Sequence, residues 1–179
     1  PGLGRIFLRT DGRPHDDGEK ISQPELAGTL KAIAQQGPQV FYQGSIAQAI
    51  SDFLKAEAGI VTLDDLKSYK PSWREPIIVK YLKWTVITMP PPSSGGVVLM
   101  QMLKVLESYR LSLIPHNSAT HLHLLAETMK HAFADRAQYL GDPDFVQVPT
   151  KKLISKDYAA WTRNRVSPVR THPPKFYGL

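Results

Sequence analysis

Met89-Pro90-Pro91-Pro92-Ser93-Ser94-Gly95-Gly96 is the stretch from which the fold is read. Its prolines fix φ and remove backbone donors, its serines offer short hydroxyls, and its glycines admit backbone conformations closed to other residues. Thr85, Val86, Ile87 and Thr88 before it form a β-rich run, while Val97 to Tyr109 after it carries apolar residues at helical spacing. The segment therefore predicts a rigid strand-to-helix elbow. Hydroxyls and free N–H groups gathered at a helix start suit a carboxylate, an oxyanion or a neighbouring carbonyl. The plainer reading has Ser93 or Ser94 capping the helix from Gly96.

Working outward toward the C-terminus, Leu99, Met102, Leu103 and Leu106 predict the buried face of the helix after the elbow. Pro115-His116-Asn117-Ser118 is a break and a cap. The longest helix follows, with Leu122, Leu125, Ala126, Met129, Phe133 and Arg136 on one face, and Gly141 is expected to close it in a left-handed conformation. Ser155 caps one more helix through Trp161, and residues 166–179, rich in prolines and basic side chains, predict a loop or mobile tail.

Toward the N-terminus, Ile77 to Tyr81 and Trp84 to Met89 are joined by the Leu82-Lys83 corner and read as a hairpin. Three helices precede it. The first starts with Ser22-Gln23-Pro24-Glu25, a capping-box pattern, and carries the stripe Leu26, Leu30, Ile33 and Ala34 up to Gly37. Gly44-Ser45 opens the second, with Ile46, Ala49, Ile50, Phe53 and Leu54 on one face and Gly59 at its end. Thr62 with Asp65 starts the third, which stops near Lys70-Pro71. Arg5 to Thr10 alternates like a short strand.

At 179 residues and 42% hydrophobic, the chain is long enough to bury a sizeable core as one domain. No apolar run approaches the roughly 20 residues needed to cross a bilayer, and no charged start with an apolar stretch marks a signal peptide. The absence of cysteine excludes disulfides and thiolate metal sites. The net charge of +6 resides in residues 150–179, where Lys151, Lys152, Lys156, Arg163, Arg165, Arg170 and Lys175 face Asp157 alone. With only weak interleaving of aromatic and glycine-rich sequence, that tail argues against nucleic acid and for a solvated segment or one lying on an acidic partner.

Several constellations bear on chemistry. His123, Glu127 and His131 recur at four-residue spacing and resemble a partial metal site, but a solvated polar face is the better reading, because the usual zinc helix places its two histidines one turn apart. Lys104 lies too far beyond Gly96 to complete a phosphate loop. Pro92-Ser93-Ser94-Gly95-Gly96 lacks the pattern of a hydrolase nucleophile elbow. Asp135 and Arg136, with Asp142 and Asp144, are expected to anchor a loop through ion pairs and hydrogen bonds.

The elbow, followed by Ala132-Phe133-Ala134-Asp135-Arg136 and Tyr139-Leu140-Gly141-Asp142-Pro143-Asp144-Phe145, closely resembles the large subunit of γ-glutamyltranspeptidase. Gln23-Pro24-Glu25-Leu26-Ala27-Gly28-Thr29-Leu30, Gly37-Pro38 and Phe41-Tyr42-Gln43-Gly44 resemble it too, so the likeness covers most of residues 5 to 150. The resemblance implies an N-terminal nucleophile hydrolase. A precursor cuts itself, and the new terminal threonine of the small subunit attacks a γ-glutamyl carbonyl. Nothing in this chain matches the family's Thr-Thr-His start, since Thr171-His172 lacks the paired threonine and runs into Pro173.

By that resemblance the chain is the later part of a large subunit, ending shortly before the processing site. The implied fold is α+β: part of an αββα sandwich, mostly helices plus a hairpin, completed by the small subunit. The implied partners are that subunit and a small γ-glutamyl substrate, with no cofactor, metal or nucleic acid, in the periplasm or outside the cell. No catalytic residue is assigned. Ser93, Ser94, Gly95, Gly96, Asp135, Arg136, Gly141, Asp142 and Asp144 are expected to support the active site from behind, the serine hydroxyls bonding to backbone. An acylase of the cephalosporin or poly-γ-glutamate type and a stand-alone helical binding module are the alternatives.

Overall fold

Near Ser72 the computed structural model, which describes residues 2–178, divides into two compact units. The first is helical: α1 Gly2–Phe7, α2 Pro24–Gln36, α3 Gln39–Tyr42, α4 Ser45–Ala56 and α5 Leu63–Ser68. The second holds a hairpin, β1 Ile77–Tyr81 and β2 Trp84–Thr88, then α6 Gly95–Leu106, a 3-10 turn at Leu111–Leu113, α7 Ala119–Tyr139, α8 Thr150–Leu153, α9 Lys156–Arg165 and α10 Pro174–Tyr177. The fold is mixed α/β.

In the first unit the strand expected at Arg5–Thr10 is a helical turn instead. A lone strand leaves its backbone groups unpaired. Here Leu8 makes only an isolated bridge to Pro14, and the preceding residues satisfy their amides within α1. The box expected at Ser22 does not close, because the cap of α2 is Gln23 and Glu25 is therefore one position too early. Glu25 instead receives the Arg5 guanidinium at 3.1 Å. At Thr62 the box does form: the Thr62 N–H donates to Asp65 Oδ2 at 2.8 Å and the Asp65 N–H to Thr62 Oγ1 at 3.2 Å. Between α3 and α4, a Cβ on Gly44 would lie 2.8 Å from Val40 Cα, so the chain turns there only with glycine.

The second unit grows from its hairpin. β1 and β2 pair antiparallel from Ile77–Thr88 to Tyr81–Trp84, and Leu82 takes a positive φ of 51° at the two-residue corner. Ile77, Val97, Met100 and Leu153 form one core cluster. Val105, Leu106, Leu124, Ala159 and Val166 form another. α6 thus buries Val97, Met100, Gln101 and Val105, while Leu99 is exposed and Met102 and Leu103 are half-buried. Of the expected stripe Leu106 is buried and only Leu99 is exposed, but the helix is apolar nearly all round, so spacing alone does not single out Val97, Met100 and Val105.

α7 departs further from expectation. Its cap is Ser118, whose hydroxyl accepts from the His121 N–H at 3.3 Å. Its buried residues are Leu124, Glu127, Thr128, His131, Ala132 and Ala134, whereas Leu122, Met129 and Phe133 are exposed. The inner side is mixed, with Glu127, Thr128 and His131 buried beside Leu124, Ala132 and Ala134. Helix α7 ends at Leu140, whose N–H reaches Arg136 O, and Gly141 is not left-handed. Glycine is placed there by crowding instead: a Cβ would lie 2.8 Å from Val146 Cγ2. Ser155 caps α9, which runs past Trp161 to Arg165. Within the stretch expected as a loop, Val166 is buried, residues 167–173 are irregular, and α10 buries Tyr177.

Leu26, Leu30 and Phe53 on α2 and α4, like Leu122, Met129 and Phe133 on α7, leave long apolar faces open to solvent. Among the described residues of the first unit only Val40 and Ala47 are buried. Faces of this kind are stable in water only when covered. Residues 1 to 179 expressed alone should therefore bind a hydrophobic dye strongly and aggregate, as read by dye fluorescence and size-exclusion chromatography; a soluble monomer with one cooperative melting transition would contradict this.

Candidate functional site

The elbow stands where β2 delivers the chain to α6, and Gly96 is its tightest point. A Cβ on Gly96 would overlap the carbonyl oxygen of Met89 and lie 3.0 Å from Thr88 Cγ2. Only glycine lets the helix start against the strand end. Gly95 meets no such limit, having only Ser93 Oγ at 3.8 Å. Ser94 is the N-cap residue by position, yet its hydroxyl caps nothing. It accepts a hydrogen bond from Arg136 Nε at 2.9 Å, so the elbow is held by α7 rather than by its own backbone. Beside it, Trp73, Arg74, Ile87, Met89 and Pro90 through Ser93 line an open, largely apolar groove.

The acidic corner after α7 is anchored by a residue that the sequence pattern does not single out. Arg74, not Arg136, takes both carboxylates, lying 2.6 Å from Asp144 and 3.5 Å from Asp142. Asp142 Oδ1 also accepts the Asp144 N–H at 3.0 Å, which tightens the turn.

Asp135 makes none of the ion pairs expected of it. Gln101 Nε2 of α6 donates to Asp135 Oδ2 at 2.6 Å, and the Tyr158 hydroxyl of α9 lies 2.8 Å and 2.9 Å from its two oxygens. One carboxylate thus ties three helices. Burial pushes Asp135 above the ordinary carboxylate range against the two donors, and burial together with the carboxylate pushes the Tyr158 phenol up.

Further along the same face, the presumed solvated trio is largely buried. Glu127 is 1% exposed, pairs with Lys130 and accepts the Tyr177 hydroxyl at 2.5 Å. Burial works to raise its pKa, but the hydrogen bonds from Lys130, Tyr177 and Thr171 prevail and lower it. The Tyr177 oxygen also receives Lys130 Nζ at 3.0 Å and the His172 N–H at 2.9 Å, fastening the last described residues to α7. Arg165 adds a second fastening by lying over the Trp161 and Phe176 rings, at 4.7 Å and 4.2 Å. His123 Nε2 is 2.8 Å from Ser167 O. No three metal-ligating side chains converge among the described residues.

The structure therefore joins Ser94 to Arg136 and Asp142 to Asp144, and leaves Asp135 in a separate, half-buried junction. Gln101, Tyr158, Arg74 and Tyr177 are the partners missed. One signal was present: residues 123, 127, 131 and 135 repeat at i+4, marking a continuous polar stripe on α7.

Helices packed over a hairpin, with an elbow held by α7 and a loop held by Arg74, define a scaffold of the mixed α/β class. The γ-glutamyltranspeptidase family model matches residues 1–179, and the chain belongs to that family. It is 41% identical over 167 residues to the glutathione hydrolase proenzyme of Pseudomonas sp. (strain A14), covering 93% of this chain and 29% of that protein. It is 42% identical over 159 residues to the Acylase ACY 1 proenzyme of Pseudomonas sp. (strain V22), covering 89% of this chain and 28% of the other. The crystal structure of Helicobacter pylori γ-glutamyltranspeptidase superposes with a TM-score of 0.84 at 38% identity, covering 97% of this chain and 50% of that one. The chain spans under a third of the curated relatives and half of the solved chain.

Two outcomes follow from this geometry. Gly96→Ala in the assembled protein should cost about 1–3 kcal/mol through overpacking against backbone, whereas Ser94→Ala, which removes one exposed hydrogen bond, should cost about 1 kcal/mol or less. Urea unfolding of the two variants checks the order, and a larger loss for Ser94→Ala would refute it. His131 is buried, and that burial, reinforced by Arg165, lowers its pKa from 6.5 to about 4. A histidine with a depressed folded pKa favours the neutral form, so its contribution is complete above about 6.5 and is lost as pH falls toward 4. Stability should fall between pH 6.5 and 4, and His131→Leu should flatten that part of the pH–stability curve; an unchanged curve would show that His131 does not titrate there.

Proposed function

We propose that this chain is the later part of the large subunit of a γ-glutamyl transferase and glutathione hydrolase. The observation that carries this reading is the family match along the whole chain together with the superposition on a solved γ-glutamyltranspeptidase. In this proposal the nucleophile is a threonine at the start of a small subunit cut from the same precursor. It attacks the γ-glutamyl carbonyl, the amine leaves, and the acyl-enzyme passes its acyl group to water or to an amino acid or peptide. The small subunit completes an αββα sandwich over this chain, in the periplasm or outside the cell.

Within that scheme the residues described above act by support. Gly96 and the Ser94–Arg136 bond set the elbow, and Arg74 with Asp142 and Asp144 sets the loop after α7. Asp135 fixes the helices behind both. The role resembles that of groups that lock a reactive constellation from behind without touching substrate.

A second reading is an acylase acting on a different amide, favoured by the 42% identity to Acylase ACY 1. Co-expression of this chain with the rest of its precursor separates the two. Intact mass of the purified protein should show two chains, the smaller starting with threonine, and a γ-glutamyl anilide should be turned over in preference to a cephalosporin side-chain amide. Preference for the latter would establish the acylase, and absence of a second chain would defeat both readings.

A further inference from the structure

Beside His131 lies a small, largely buried cavity of about 10 Å³, bounded by Gln101, Val105, Thr128, His131, Leu153 and Thr162 among others. Two of the lining residues each carry a buried polar atom, Gln101 Oε1 and His131 Nε2, with no hydrogen-bond partner among the described residues. Both side chains belong to residues that are 5% exposed. Leaving either atom unpaired in so dry a setting is costly, which is why such groups are nearly always satisfied by protein or by an internal water.

From this geometry we propose that the cavity is a binding site for one structural water, bridging Gln101 Oε1 on α6 and His131 Nε2 on α7. The size suits a single water, which needs about 10–15 Å³ and two to four polar partners. The amide of Gln101 is anchored at its other end, since its Nε2 donates to Asp135 Oδ2 at 2.6 Å, which leaves Oε1 as the end still to be satisfied. The water donates to that oxygen. It accepts the Nε2 proton of neutral His131, the state that burial favours. Thr128 and Thr162 spend their hydroxyl protons on Leu124 O at 2.7 Å and Tyr158 O at 3.0 Å, so each keeps lone pairs for the second water proton.

Aromatic rings pack against the His131 side of the site. The Tyr177 and Phe176 rings stand edge-on to His131, with centroids 4.9 Å and 6.0 Å away, and the Tyr177 hydroxyl is fixed by Glu127. Through Gln101 the water joins the Asp135–Tyr158 junction, extending one polar network from α9 through α6 to α7. The inference depends on this chain's packing alone and not on which amide the protein cleaves.

A crystal structure of the protein, this chain together with the rest of its precursor, at a resolution that shows ordered solvent provides the test. One spherical density within hydrogen-bond distance of both Gln101 Oε1 and His131 Nε2 is expected. A direct Gln101–His131 hydrogen bond, or a cavity with no density, overturns the proposal. Water-oxygen magnetic relaxation dispersion supplies a second readout: Gln101→Met should remove one long-lived internal water, as should Thr128→Val with His131→Leu if the single variant does not fold, and an unchanged count in a folded variant refutes the site.

Discussion

A carboxylate held between helices fixes the second unit. Asp135 projects from α7 and accepts donors from Gln101 on α6 and Tyr158 on α9, so the three helices have one mutual rotation that satisfies it. A half-buried carboxylate without those donors would be unfavourable. Satisfying Asp135 turns the rest of its stripe inward as well, which is why Glu127 and His131 are buried while Leu122, Met129 and Phe133 face out. The orientation of α7 thus serves polar pairing as well as the burial of Leu124, Ala132 and Ala134, at the cost of leaving its larger apolar side chains outside.

That arrangement explains which features the sequence revealed. Element existence was readable wherever a local signal acts alone: the hairpin and its two-residue corner, the elbow, the Thr62–Asp65 box, and the Ser118 and Ser155 caps. Faces were not readable. On α6 apolar residues surround the helix and no stripe is distinguished, and on α7 the partners that bury Glu127 and Asp135 come from positions 50 and 23 residues away. Long-range pairing also explains the acidic corner, where Arg74 reaches Asp144 across 70 residues while the adjacent Arg136 turns to Ser94.

The same distinction applies to glycines. A helix followed by Gly141 is the usual pattern of a left-handed cap, but α7 ends in extended backbone at Leu140, and Gly141 is required by the nearby Val146 side chain. Gly96 likewise has no special φ; its requirement is space against the Met89 carbonyl. A sequence motif names the glycine without saying whether torsion or crowding demands it. Only the packed neighbours decide.

The family motif through the elbow and the Ala132–Arg136 run then acquires a physical content. Asp135 and Arg136 are adjacent, so they leave α7 about 100° apart and serve different tasks: one points into the helix junction, the other reaches the elbow. Any rotation of α7 that relaxed Asp135 would draw Arg136 off Ser94. The two contacts therefore couple the core of the second unit to the position of Ser94 at the start of α6, and the alternation of a half-buried acid with an exposed base is what lets one short run do both.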